Sequence, residues 1–370
     1  MGKFFALLAR IWEVLVRRVD SYLMAAALAI VGIGLITLFS ASDQNISRVT
    51  SQVMSLGFAL LLMWIVANIQ PRQLARAALP LYILGVLLLI AVALGGTVVN
   101  GSRRWLNFGF ARFQPSELMK IALPLMLAWY FQKHETRVRF RDFILAVALI
   151  AAPVWLIKRE PDLGTALMIG ASGFYVLYLA GLSWKIMLGL LVAAAAAAPL
   201  VWPHLHDYQQ ERILTFLDPA RDPLGTGYHS TQASIALGSG GVIGKGWLNG
   251  TQTHLDFLPE RHTDFIFAVF GEEFGLIGSA LLLVLYLLLI GRAFVITINA
   301  STLFARLTAG AITLMFFSYA FVNMAMVSGL LPIVGVPLPL VSFGGTALVS
   351  LFIGLGILMS VQANRKLVKT

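Results

Sequence analysis

The chain has no cysteine. Disulfides and thiol redox chemistry are therefore excluded, and so are the usual cysteine-containing zinc patterns. Charge is also scarce. Asp, Glu, Lys and Arg make up 12% of the residues, against about a quarter in a soluble domain. Acids are the rarer sign, 17 against 27 Lys plus Arg. Several motifs are missing as well. No H-E-x-x-H occurs, so His204, His206, His229, His254 and His262 read as solvated or hydrogen-bonded side chains rather than a metalloprotease site. Ser239 and Gly246 stand where a P-loop needs Gly and Ser/Thr, and Ile243 stands where G-x-G-x-x-G needs its last Gly. ATP binding through such a loop is excluded. No internal repeat is visible, which counts against the inverted-repeat transporter folds.

Apolar residues are what the chain has, at 59%. They gather in segments of about 20 residues, the length that crosses a bilayer. The expected fold is an all-α polytopic membrane protein. Its spans are read at 22–41, 50–69, 78–96, 116–132, 143–157, 163–181, 186–202, 265–291, 307–328 and 346–361. The whole of 1–370 is expected to be one integral membrane domain, with one long external loop, 203–263, between the seventh and eighth spans. Basic residues favour one side: Arg17, Arg18, Arg72, Arg76, Arg137, Arg139, Arg141, Arg292 and Arg306 all fall there when the N-terminus is cytoplasmic. An even number of spans returns the C-terminus to that side. The net charge of +10 follows from this bias and does not call for nucleic acid. No cleavable signal peptide is expected. Phe4, Leu7, Leu8, Ile11 and Leu15 recur at helical spacing, so 1–20 reads as an interfacial helix on the inner surface.

Acids and bases beside the apolar runs are the candidate functional residues, because ionisable groups there are costly. Glu117 and Lys120 share a face at the start of the fourth span. They form either a structural ion pair or a cavity cation held by its acid. Asp162 follows Pro161 where the sixth span begins. It either caps that helix or lines a cavity shared with the long loop. Glycines around Lys245 can present N–H groups to an anion. Asp264 sits beside Arg261 and His262 at the mouth of the eighth span. It is either a helix-dipole acid or a general base balanced between desolvation and nearby cations.

The chain resembles the SEDS family (shape, elongation, division and sporulation) of peptidoglycan glycosyltransferases. The resemblance rests on Arg103-Arg104-Trp105, on Phe113-Gln114-Pro115-Ser116-Glu117 with Lys120, and on Pro161-Asp162-Leu163-Gly164-Thr165. It continues through Asp218-Pro219, Asp222-Pro223, Gly225-Thr226-Gly227-Tyr228-His229 and Gly238-Ser239-Gly240-Gly241 with Gly244-Lys245-Gly246. It closes with 258–267 and with the run from Gly335 to Gly345. Arg261 before His262 favours the rod-shape, elongation branch. Glu160, Ala233 and Phe343 depart from the family's usual Gln, Ser and Tyr.

The resemblance implies polymerisation of lipid II at the external face, with Asp264 as the base. One base suffices, because the diphosphate leaving group needs no acid; its charge must be offset by side chains or by a divalent ion. Lys120, Lys245, Arg212 and Arg261 are the cations available, with Glu117 and Asp162 beside them. No organic cofactor is implied. The resemblance also implies a class B penicillin-binding protein as partner, since the long loop carries no Ser-x-x-Lys nucleophile. Ala309, Gly310 and 318–326 of the ninth span are the expected partner face. A lipid II flippase and a non-catalytic scaffold remain the alternatives at this point.

Overall fold

The computed structural model describes residues 18–99, 102–107, 112–135, 139–160, 162–204, 207–218, 226–254, 258 and 260–365. The interfacial helix expected over 1–20 lies almost wholly outside the described residues. Ten long helices coincide with the ten apolar segments. They are α1 (Ser21–Ala41), α2 (Ile46–Asn68), α3 (Pro71–Gly95), α4 (Pro115–Lys133), α5 (Phe140–Lys158), α6 (Leu163–Leu179), α7 (Trp184–Val201), α11 (Ile266–Ile298), α12 (Leu303–Val327) and α13 (Gly345–Ala363). Seven of them are long and apolar enough to cross a membrane by length and composition: α1, α2, α3, α5, α11, α12 and α13. The segment between α7 and α11 holds α8 (Asp207–Leu217), α9 (Thr226–Ser239) and the single turn α10 (Thr251–His254). One feature departs from an all-helical reading. Strands β1 (Thr97–Val99), β2 (Ser102–Asn107) and β3 (Arg112–Phe113) form an antiparallel sheet before α4.

Helix ends are fixed by side chains that the sequence places at the boundaries. Asp20 caps α1 by accepting from Leu23 N at 3.0 Å, and Arg292 near the end of α11 grips the same carboxylate at 3.0 and 2.5 Å. Thr302 caps α12 through Ala305 N at 3.2 Å. The apolar faces of the helices sort by environment. α4 is buried almost all round, from Pro115 to Phe131. It packs on α3, α6 and α12, while α13 packs on α2. α2 and α5 instead expose large apolar side chains, among them Phe58, Leu61, Ile144 and Val147. An apolar exterior of this kind is what lipid solvates.

α11 is broken. Gly275 has φ 65° and ψ −161°, outside the helical region. In an unbroken helix Leu276 N and Ile277 N would donate to the Glu272 and Glu273 carbonyls. Here those carbonyls accept from Lys245 N (3.0 Å) and Gly246 N (2.9 Å), while Leu276 N and Ile277 N donate to Gly241 O (3.0 Å) and Val242 O (3.1 Å). The glycine-rich segment thus repairs the helix from outside. Backbone groups freed within an apolar bundle must find such partners. The segment read from sequence as external loop therefore reaches about two turns down α11 from Asp264.

Candidate active site

Three acid-bearing helix starts converge on the stretch from Val334 to Gly345. The first is the turn before α11. His262 O accepts from Phe343 N (2.9 Å), Thr263 O from Ser342 Oγ (2.6 Å) and Asp264 O from Asn323 Nδ2 (2.8 Å). Three successive carbonyls are therefore held. Asn323 is fully buried and its second N–H donates to Val336 O at 2.7 Å. Gln52 fastens the far end, donating to Ser342 O and accepting from Gly344 N, both at 3.2 Å. Asp264 itself is half-buried. Gly335 faces its carboxylate: a Cβ added there would lie 3.4 Å from Oδ2. Gly335 also has φ +72°, a region L side chains avoid.

The second is the start of α4. Lys120 Nζ donates to Glu117 Oε1 at 2.7 Å, and Ser350 Oγ of α13 donates to Glu117 Oε2 at 2.6 Å. The ammonium also lies 4.9 Å from the centre of the Tyr319 ring. Glu117 and Lys120 are both buried, so neither charge has water to fall back on. Lys120 and Tyr319 line a cavity of about 20 Å³ with Pro337, Leu338, Ser342 and Phe343. That is room for about one water. Through this wall the pair adjoins the segment that holds Asp264.

The third is the start of α6. Asp162 caps the helix, accepting from Thr165 N at 3.1 Å, and lies 3.6 Å from Arg104 on β2. The small sheet missed by the sequence reading delivers that arginine. Gly164 lets the helix start pack on Val334 and Val336. Glu160, one of the departures from the family pattern, is 2% exposed, and neither carboxylate oxygen has a hydrogen-bond partner. Burial, then the negative charge of Asp162, push its carboxyl up to about 8, with Arg104 opposing. Glu160 is therefore largely protonated at neutral pH. His262 shifts the other way for a base. Burial, with Arg48 and Arg261, holds it below the ordinary imidazole value against Glu260.

The remaining expected cations are engaged elsewhere. Lys245 Nζ donates to Glu272 Oε1 and Thr251 Oγ1, at 2.7 and 2.8 Å. The fully buried Glu272 also accepts from Gln252 N, Thr253 N and Thr253 Oγ1. This network anchors the glycine-rich segment on α11. Arg261 pairs with Asp43 in the turn between α1 and α2 and donates to Thr253 O. The side chain of Arg212 lies outside the described residues. Each described cation of the expected set thus has a carboxylate partner. Ser350 was not singled out from sequence; Tyr319 and Asn323 lay in the stretch assigned to a partner and Ser342 in the 335–345 run, none with a role at the site. Asn323 left a signal, an amide amid the apolar run Phe321-Val322-Asn323-Met324, but serines and tyrosines in apolar helices are too common to single out.

The expected partner face needs correction. Ala309, Gly310, Asn323 and Met326 of α12 are buried within the chain's own bundle. Gly310 packs against Leu179 of α6 and Thr297 of α11. Outward on α12 lie Phe317, just before the expected 318–326 stretch, and Phe321 within it, stacked with ring centres 5.8 Å apart.

Comparison with known proteins places this geometry. The chain is 47% identical over 349 residues to peptidoglycan glycosyltransferase MrdB of Escherichia coli K12, covering 94% of each. It matches a chain from a solved peptidoglycan synthase complex that coordinates polymerization and crosslinking, with TM-score 0.82, 34% identity and coverage of 94% of this chain and 98% of that one. It also matches the crystal structure of the Thermus thermophilus rod shape determining protein RodA, with TM-score 0.72, 32% identity and coverage of 94% and 97%. Residues 19–367 match FTSW_RODA_SPOVE, cell cycle protein, and the chain belongs to that family.

Proposed function

We propose that Asp264 is the general base of a lipid II polymerase. The chain is a peptidoglycan glycosyltransferase and a multi-pass membrane protein, as its kinship with MrdB and RodA requires. In the proposed step the 4-hydroxyl of the acceptor sugar gives its proton to the Asp264 carboxylate. The oxygen then attacks the anomeric carbon of the donor, and the prenyl diphosphate leaves as an anion. No acid is required at the leaving group, so the two-carboxylate geometry of glycosidases is not needed.

The observation that carries this reading is the clamp on Asp264. Three successive backbone carbonyls are held from α12 and 342–343, while the carboxylate faces a residue without a side chain. A base must be held within hydrogen-bond reach of its proton, and its surroundings must leave room for the sugar. A leaving diphosphate must be matched by cations. Among the described pairs, Arg261–Asp43 has the more exposed acid, with the Asp43 side chain 54% exposed against 8% for Glu117. It is the pair a diphosphate can open at least cost. Lys120 acts at the other wall with Glu117, and Asp162 shapes the rim with Arg104. Lys245 and Arg212 are the further cations proposed for the diphosphate, Lys245 by exchanging its bond to Glu272 for the anion. A divalent ion at the diphosphate is compatible with this scheme.

The working orientation places the protein in the cytoplasmic membrane with ten spans in a single domain. Both termini are cytoplasmic and Asp264 opens to the external face. The partner is a class B penicillin-binding protein that crosslinks the strands made here; a relative of known structure belongs to a complex that couples polymerization with crosslinking. The test is purified protein with lipid II, wild type beside Asp264→Asn. A general base contributes about 100–10,000-fold, so the variant should fold and lose polymerisation by that factor. Activity within a few-fold of wild type would remove Asp264 from the mechanism. Leaflet exchange of fluorescent lipid II without glycan chains would instead identify a flippase.

A further inference from the structure

The opposite end of the bundle carries a cluster of basic side chains. α4 begins beside the active-site segment, so its far end marks the other side, where Gln132 Oε1 accepts from Phe304 N at the start of α12 (2.9 Å). Between the end of α4 and the start of α5 opens a cleft of about 520 Å³, lined by Lys133, His134, Arg139 and Arg141 with Tyr130 and Asp142. The one acid in this lining is already committed. Asp142 accepts from the Tyr130 hydroxyl at 2.8 Å and from Arg139 N at 2.6 Å. Those bonds hold the walls, and the carboxylate, still charged, also attracts Arg141 and His134. Among the described residues no ion pair involves Lys133, Arg139 or Arg141. Three permanent cations therefore face one cleft against a single acid, which leaves a net positive charge.

What adjoins the cleft is apolar. Phe140, Ile144 and Leu145 on the first turns of α5 are all exposed. A cationic cleft opening onto an exposed apolar helix face suits a ligand with an anionic head and hydrocarbon tails. We propose that this cleft binds the phosphate headgroup of an anionic phospholipid, with the acyl chains lying along Phe140, Ile144 and Leu145. Arginine forks chelate phosphate oxygens in two-point fashion, and Lys133 adds a point charge. Free phosphate would use the cations and leave the apolar wall unpaired. An acidic protein segment would not need that wall at membrane depth. The cleft lies at the end of the bundle away from Asp264, so its occupancy is separable from the polymerase reading.

The test uses the full chain in detergent micelles, probed with phosphatidylglycerol and phosphatidylcholine, by lipid retention in native mass spectrometry and by thermal unfolding. Phosphatidylglycerol should be retained and raise the unfolding temperature; phosphatidylcholine should do neither. Each interfacial Lys or Arg contributes about fivefold in affinity for an anionic surface. The triple variant Lys133→Gln, Arg139→Gln, Arg141→Gln should therefore weaken retention roughly a hundredfold, while lipid II polymerisation in micelles stays unchanged. Arg141→Gln alone, with a smaller loss of about fivefold, keeps the test valid if the triple variant folds poorly. The control is Arg72→Gln with Arg76→Gln, which removes cations from the same face outside the cleft. Equal weakening by the control would mean a diffuse basic surface and would overturn the proposal. So would equal retention of the two lipids, or stabilisation by inorganic phosphate as large as that by phosphatidylglycerol. Stabilisation by a glutamate-rich peptide but not by the lipid would assign the cleft to a protein partner and overturn it as well.

Discussion

Lys120→Met is the perturbation that best separates a structural ion pair from a substrate contact. The ammonium is buried, 2.7 Å from Glu117, and shares that carboxylate with Ser350. Removing it leaves an acid with one hydroxyl donor and almost no water. Breaking one side of a buried pair costs about 3–5 kcal/mol. Ser350 still satisfies one oxygen, so the lower half of that range is expected here. Replacing both partners, Glu117→Leu with Lys120→Met, removes the stranded charge and should recover most of the loss. Ser350 can then turn its single hydroxyl proton to Ala347 O, 2.9 Å away, and is not orphaned. Stability is read by thermal unfolding in detergent, and activity by lipid II polymerisation on the same preparations. If Lys120 meets the substrate, the double variant is stable and inactive. A double variant that is both stable and active would refute substrate contact and reduce the pair to a helix tie. A single variant as stable as wild type would refute the burial argument itself.

Glu160→Gln tests the unpartnered acid. Its folded carboxyl titrates near 8, above the ordinary carboxylate value, so the unfolded chain releases this proton first. The wild type should therefore lose stability as pH rises from about 4.5 to about 8, by on the order of a few kcal/mol, with no further loss beyond. The Gln variant should lack that slope and be the more stable protein at pH 8; parallel unfolding curves from pH 5 to 8 would contradict this. Asn323→Ala removes the two donors that tie Asp264 O to Val336 O. A misplacement of about 1 Å costs on the order of 100-fold in rate, so kcat should fall by that order while thermal stability drops by about 1–3 kcal/mol. Unchanged kcat would mean that Asn323 does not position the base. Gly335→Ala forces a side chain into a positive-φ site facing Asp264. It should lower polymerisation at least tenfold, and a fully active variant would show that the wall moves freely.

Much of the architecture could be read in one dimension. Segment length and composition located ten helices, because crossing an apolar phase demands long hydrogen-bonded runs whatever the neighbours are. Most ends fall within four residues, although α3 begins seven residues earlier and α11 runs seven further than read. The candidate acids were also legible, since an ionisable group beside an apolar run is costly enough to stand out. Partner choice was not. Lys245 looked available to an anion until the fold paired it with Glu272, and Arg261 until it met Asp43, acids far away in sequence. Gly310 looked like a partner-facing small residue but packs against Leu179 and Thr297 in its own bundle. Small residues favour close packing without saying with what.

The sequence by itself determined that this is a helical membrane protein with its candidate acids at helix mouths, because hydrophobic length and the cost of charge are local properties. Only the tertiary structure decided that 334–345 is the common wall of three helix starts, that Asn323 and Ser342 hold the Asp264 turn, and that the glycine-rich segment mends the break at Gly275. Those relations are hydrogen bonds and close approaches between residues far apart in sequence. Each depends on where packing places both partners, which no single stretch of chain encodes.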